Sequence, residues 1–174
     1  MSMRWIPPVL AVLLAGCSGG TSVDVKKDSE VAAGRDACSL MTLEDMREVY
    51  GIEMKKSDTN RSFSGPSNDV SLCTYEGGDP LVVATMMATW AKNDNPLASR
   101  DAFVESLEKS LSPDLKEQFK VEKVEFQGLP ALWQSGQLQV FNKGAMLSVL
   151  ADPAPGKEKK QTIETLMSKA LGRL

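Results

Sequence analysis

The chain has 174 residues, of which 42% are hydrophobic and 25% charged, and its formal net charge is −3. This length is sufficient for one domain built around a single hydrophobic core. The mild acidic excess argues against nucleic acid as a partner and against attraction to anionic lipid by net charge. The absence of histidine excludes Ser-His and Cys-His nucleophile pairs and histidine metal ligands.

The first residues carry the most informative pattern. Arg4 precedes an apolar run, Val9 to Leu14, that is too short to span a bilayer and is followed by small residues. Such a segment is typical of a secretory signal, and Leu14-Ala15-Gly16-Cys17 resembles the lipobox of bacterial lipoproteins. The resemblance implies that residues 1–16 are a signal peptide and that lipidated Cys17 becomes the new N-terminus. An ordinary signal peptide with a stray cysteine is the alternative.

We expect a lipid-anchored protein of the cell envelope that is attached to the membrane through acylated Cys17, with an envelope protein as a candidate partner. In Gram-negative lipoproteins an Asp after the cysteine retains the protein at the inner membrane, so Ser18 favours the outer membrane, facing the periplasm. Residues 17–35 are predicted to be a flexible tether, because a Gly/Ser opening followed by charged residues cannot bury enough apolar surface. An ordered strand around Val23 and Val25 is the alternative.

Two further cysteines, Cys38 and Cys73, lie in the remaining region, 36–174. An oxidising compartment favours a disulfide between them, with Cys38 before the first helix and Cys73 in a strand. In the chain-entropy model this bond contributes about 4 kcal/mol. Two cysteines without a histidine cannot complete the usual zinc set, and a Cys-x-x-Cys redox motif is absent. We therefore expect neither a metal nor a cofactor.

Helices and strand clusters alternate along region 36–174. Thr42 to Asp45 predicts a capping box, with Asp in place of Glu, for a helix that ends at Gly51. The apolar stretch 81–90 predicts a central strand. Antiparallel strands separated by helices predict one α+β domain, an antiparallel sheet flanked by helices; a duplication of two topologically similar halves stays open. The other predicted elements are strands over 52–57, 70–76, 119–127, 131–135, 137–141 and 145–151, a helix over 99–111, and a last helix with Ile163, Leu166, Met167, Ala170 and Leu171 on one stripe.

Region 36–174 begins with Asp36-Ala37-Cys38-Ser39-Leu40-Met41-Thr42, followed by a short acidic helix. This start resembles the opening of a group of small bacterial lipoproteins. Their usual form is Cys-Ser-Leu-Leu-Thr, so Met41 replaces a leucine. Their later motifs are matched by Cys73-Thr74-Tyr75, by Gly128 to Trp133 and by Leu138-Gln139-Val140. These proteins, best known from actinobacteria, have no established function. The resemblance implies a sandwich similar to the extrinsic photosystem protein PsbP, and it carries over no catalytic residue.

Other candidate sites are weak. Lys92 to Asn95 resembles a calcium loop, but Pro96 and Ala98 occupy ligand positions, which favours a turn. The acid pairs Glu44/Asp45 and Glu122/Glu125 could serve glycoside hydrolysis, but solvated surface is the better interpretation. The aromatics Tyr75, Trp90 and Trp133 could line a partner surface or pocket, and a place in the core or at a sheet edge is favoured. Met86 and Met87 are predicted to fill gaps in the core.

These observations predict a tethered domain that is not an enzyme and that binds or scaffolds an envelope protein. The alternative is a carrier that holds a small apolar ligand between the sheet and the helices. An enzyme would need a pocket with two strongly perturbed titratable groups.

Overall fold

The computed structural model describes residues 35–92, 99–112, 115 and 120–174. All of these lie within one compact unit, Ala32–Leu174. The predicted signal peptide, Cys17 and the tether up to residue 34 lie outside the described residues, as do residues 93–98 of the calcium-like loop. Within the described ranges, no helix has the length and apolar character needed to cross a membrane.

The described residues form an α+β domain with helices and antiparallel strands, as the sequence predicts. The helices are α1 (Ala37–Leu40), α2 (Leu43–Tyr50), α3 (Arg100–Ser110) and α4 (Lys159–Leu171). The strands are β1 (Met54–Lys56), β2 (Asn68–Gly77), β3 (Val82–Ala91), β4 (Val121–Phe126), β5 (Leu129–Gln134), β6 (Gln137–Asn142) and β7 (Ala145–Ala151).

The strands form one seven-stranded sheet in the order β1-β2-β3-β7-β6-β5-β4. Every pairing is antiparallel. The chain builds the β1-β2-β3 side first, passes through α3 to the far edge at β4, and returns strand by strand until β7 lies beside β3. The predicted central position of β3 is therefore confirmed, because it is paired with β2 on one side and β7 on the other.

One face of the sheet is covered by α1, α2 and α4, and we call it the helix-covered face. Because side chains alternate along a strand, every second residue of each strand points to this side. The core there joins side chains of the central strands to the apolar stripe of α4 that its helical spacing predicts. Its fully buried members include Cys73, Tyr75, Met86, Leu138, Leu147, Val149, Ile163, Leu166 and Met167.

The predicted capping box begins α2. Thr42 accepts from the backbone N–H of Asp45, and the Asp45 carboxylate accepts from the backbone N–H of Thr42 at 2.7 Å. Gly51 ends the helix with φ of 69°, a left-handed conformation that glycine adopts without a Cβ penalty. Ser99 caps α3 in the same manner, by accepting from the backbone N–H of Ala102.

The predicted disulfide between Cys38 and Cys73 is present. Cys38 does not precede the first helix, however; it lies within α1, which the sequence analysis missed because four residues show no helical periodicity. Asp36 forms the N-cap of α1 and accepts from the backbone N–H of Cys38 and from the Thr59 hydroxyl. The disulfide therefore joins a short capped helix to β2.

Strand β5 begins earlier than predicted, at Leu129 rather than at Ala131. Proline removes a hydrogen-bond donor from the ladder, so within a sheet it is confined to places where its nitrogen needs no partner. Pairing between β5 and β6 starts only at Ala131, so Pro130 lies where β5 is paired with β4 alone, opposite Glu125.

Candidate functional site

The candidate site is the second face of the sheet, opposite the helix-covered face. Helix α3 packs over one part of it, formed by β4, β5, β6 and the start of β7. The rest, over β2, β3 and the end of β7, we call the open half. It is formed by the side chains of Leu72, Thr74, Val83, Thr85, Met87 and Leu150, five of them half-buried and Leu150 exposed.

Helix α3 is held by few apolar contacts. Val104 is its one buried side chain, packed with Leu132, Phe141 and Met146, and the Phe103 ring lies 5.9 Å from the Phe141 ring. The helix N-terminus is fixed to the sheet edge by polar contacts. Arg100 Nη1 donates to the backbone carbonyl of Val124 at 3.2 Å, and Asp101 lies 3.0 Å from Lys123 Nζ.

The open half is uncharged across its centre. Cross-strand pairing places Leu72 beside Met87, and Thr74 beside Thr85, which is in turn opposite Leu150. Strand β7 is paired on both sides, yet Leu150 is 43% exposed, because α3 does not reach it. The cross-strand partners of Leu150 are Thr85 and Gln137, both uncharged. A leucine exposed on an interior strand between uncharged side chains is the kind of surface that partner proteins cover.

A buried polar group lies where the open half meets the α3-covered half. Gln139 is 6% exposed and Ser148 1%, and the two residues are cross-strand partners. Ser148 Oγ accepts from the Gln137 side-chain amide. Gln139 Oε1 is buried and has no hydrogen-bond partner among the described residues. Such an unmade hydrogen bond costs about 1–3 kcal/mol, so it marks a place where a donor from outside the domain would bind favourably.

Among the described residues, two clefts flank α3. The larger, about 340 Å³, lies between α3 and β4, and the smaller, about 230 Å³, lies at the N-terminus of α3. Small-molecule sites in proteins have volumes of about 300–1,000 Å³, so only the larger cleft reaches this range. Its lining residues are Val104, Leu107, Glu108, Leu111, Lys120, Val121 and Lys123.

The acids of the two candidate pairs differ in burial. Glu44, Glu122 and Glu125 are exposed, as predicted, whereas the prediction that Asp45 is solvated is wrong, because it is 2% exposed. Its carboxylate pairs with Arg173, with oxygen-nitrogen distances of 2.7 and 2.9 Å. Burial favours the protonated acid, but the hydrogen bonds from Arg173 and α2's capping box hold the pKa of Asp45 below its ordinary value. Asp45 thus links α2 to α4.

The predicted interpretation of the aromatics as core or edge residues is confirmed. Tyr75 and Trp90 are buried, and the Tyr75 hydroxyl donates to the backbone carbonyl of Met41. Burial, together with nearby carboxylates, raises the pKa of Tyr75 far above its ordinary value. Trp133 is half-buried at the edge of the helix-covered face, with Lys160 Nζ 5.5 Å from its ring centroid.

The predicted gap-filling role is confirmed for Met86, which is buried. Met87 is half-buried and packs against the cluster under α3, at the border of the open half. In the part of the chain that the structure describes, no group of three or more His, Cys, Asp or Glu side chains could hold a metal ion.

Sequence reasoning missed Gln139. Its position in Leu138-Gln139-Val140 alternates with apolar residues, which is the pattern of an outward-facing polar residue on a half-exposed strand. Gln139 is buried because α3 crosses the second face of the sheet. No local sequence pattern predicts where α3 lies. Comparison with protein-family models, with curated proteins and with solved structures finds no match to the chain.

Proposed function

We propose that the protein is a lipid-anchored, non-catalytic component of the cell envelope that binds a partner protein through the open half of its sheet. The observation that carries this proposal is Leu150, which is 43% exposed on a strand paired on both sides. Its cross-strand neighbours, Thr85 and Gln137, are uncharged, whereas Glu76, exposed on the same face, lies further away, opposite Val83. Charged residues are depleted at the centres of protein interfaces, so the composition fits a protein partner.

The anchor supports the same proposal. The likeness of residues 14–17 to a lipobox implies that acylated Cys17 holds the domain at a membrane. Two or more acyl chains anchor a protein stably, and confinement to one surface raises its effective concentration toward other envelope proteins. A modest interface can then suffice. Ser18 supports the outer membrane, facing the periplasm, as the location.

We also propose that the domain has a sandwich of the PsbP type, as its resemblance to the Cys-Ser-Leu-Leu-Thr lipoproteins implies. The support is coarse: an antiparallel sheet carries helices α1, α2 and α4 on one face and α3 on the other.

Site-specific photo-crosslinking in the native envelope tests the proposed interface. A photoreactive phenylalanine analogue at Leu150 is compared with the same analogue at Gln161, an exposed residue of α4 on the other side of the sheet. We expect one dominant protein adduct from position 150 and none of that mass from position 161. The adduct should weaken in a Cys17→Ala background, because local concentration is lost. Equal labelling from both positions contradicts a specific interface at the open half.

A second candidate function, a carrier of a small apolar ligand, is favoured by the unpaired Gln139 Oε1 beside the α3 cluster. The ligand would combine an apolar body with one hydrogen-bond donor. Native mass spectrometry of the purified protein distinguishes the two functions. A retained non-protein mass that disappears in Gln139→Met supports the carrier, whereas an unmodified mass with a dominant adduct at position 150 supports protein binding.

A further inference from the structure

The end of the sheet from which the tether leaves contains an exposed aromatic side chain among cations. We propose that this end, defined by Arg35, Arg61, Phe63, Asp69 and Lys92 and called the tether end, contacts the bilayer, with Phe63 reaching the interface. The inference rests on the proposed lipid anchor, and it adds the orientation in which the anchored domain stands on the membrane.

Hydrogen bonds and ion pairs hold the tether end together. Arg61 Nη2 donates to the backbone carbonyl of Arg35 at 2.6 Å, and Arg35 Nη1 lies 3.7 Å from Asp69 Oδ2. Lys92 Nζ lies 2.5 Å from Asp69 Oδ1. Because Asp69 is the second residue of β2 and Lys92 follows β3, Arg35 lies at one defined end of the β2-β3 hairpin.

Phe63 is 63% exposed on the loop that precedes β2. Residues 62–67 around it carry no charge. The loop is fixed to the sheet, because the Ser64 hydroxyl bonds to both the backbone N–H and the carbonyl of Val70, and the backbone N–H of Gly65 donates to Asn68. An exposed ring on an uncharged, fixed loop can enter the headgroup region without losing a hydrated charge.

The local charge favours a membrane although the chain as a whole is acidic. Among the described residues, the tether end has three cations, Arg35, Arg61 and Lys92, beside the carboxylates of Asp36 and Asp69. Asp69 pairs with Arg35 and with Lys92. Cations close to an anionic membrane surface are attracted to it, and the attraction acts over about a Debye length rather than over the whole protein.

The length of the connecting chain permits this orientation. About 18 residues separate Cys17 from Arg35, which corresponds to roughly 25 Å for a flexible coil and roughly 60 Å at full extension. Strands β2 and β3 have 10 residues each, a span of about 33 Å. Leu81, at the turn that joins them, is 64% exposed but lies a full strand length from the tether end. It is therefore a matched control for Phe63.

The test uses the full lipoprotein, reconstituted in phosphatidylcholine–phosphatidylglycerol vesicles with and without brominated acyl chains. Tryptophan is introduced as Phe63→Trp or Leu81→Trp, and the fluorescence of the unsubstituted lipoprotein, which has Trp90 and Trp133 once residues 1–16 are removed, is subtracted. Side chains at the interface reach about 5–10 Å into the boundary between headgroups and acyl chains. We expect several-fold stronger quenching at position 63 than at position 81, weakening as salt is raised.

Each outcome is decisive. Quenching confined to position 63 supports the contact. Quenching that is equal at both positions, or absent from both in protein that floats with the vesicles, overturns the contact and leaves the anchor intact. Unsubstituted protein that does not float with the vesicles refutes the anchor and with it this inference.

Discussion

Replacing Gln139 with methionine should stabilise the domain, although most substitutions in a core are destabilising. Gln139 Oε1 is buried without a partner, and an unmade hydrogen bond of this kind costs about 1–3 kcal/mol. Methionine has a similar length and flexibility and introduces no polar atom. The neighbouring bond from Gln137 to Ser148 is left in place. We expect the free energy of unfolding to rise by about 1–2 kcal/mol, or roughly 4–8 °C in Tm.

Urea unfolding followed by circular dichroism, with calorimetry as a second probe, measures this effect. The matched control is Gln137→Met, on the same strand and face, which removes a made hydrogen bond and should lower stability by about 1 kcal/mol. Destabilisation of similar size in both variants would mean that Gln139 Oε1 has a donor in solution. The argument for a site at this position would then fail.

Three further perturbations test the packing of the domain in urea unfolding. Replacing Cys38 and Cys73 by alanine releases a constraint over a sequence separation of 35 and should cost about 4 kcal/mol, as should reduction of the unsubstituted protein. Asp45→Asn should cost about 1–2 kcal/mol at neutral pH because Arg173 loses its partner. The pKa of Asp45 is lowered by folding, so its contribution is complete above about pH 4, is lost as the pH falls further, and should be missing at every pH in the variant. Tyr75→Phe should cost about 1 kcal/mol, because a buried backbone carbonyl loses its donor.

The fold followed from sequence where the signal is local. The capping box at Thr42, the stop at Gly51 and the Ser99 cap depend on residues a few positions apart, and the structure contains all three. The apolar stretch 81–90, which forms most of β3, is local in the same sense. The disulfide was predicted from cysteine count and compartment.

The candidate site was not predictable in this way. Its properties come from long-range placement: β7 returns beside β3, and α3 crosses the second face without covering Leu150. The same placement buries Gln139, whose local pattern favours exposure, and it buries Asp45 through an ion pair with Arg173 at the far end of the chain. Contacts between residues so distant in sequence leave no periodic signature.

The two proposed surfaces are compatible because they lie on different sides of the sheet. The tether end is one end of the strands, whereas the open half is a face whose side chains stand perpendicular to the sheet. If Phe63 rests on the bilayer, the strands rise from the membrane and the face that carries Leu150 is directed sideways, along the membrane surface. A partner in the same membrane, or one lying against it, would then meet the open half without displacing the domain from the lipid. Moving the anchor to the turn at Leu81 would invert the domain while leaving the open half exposed. If the partner is held at a fixed height above the same membrane, the yield of the crosslinked adduct at position 150 should then fall.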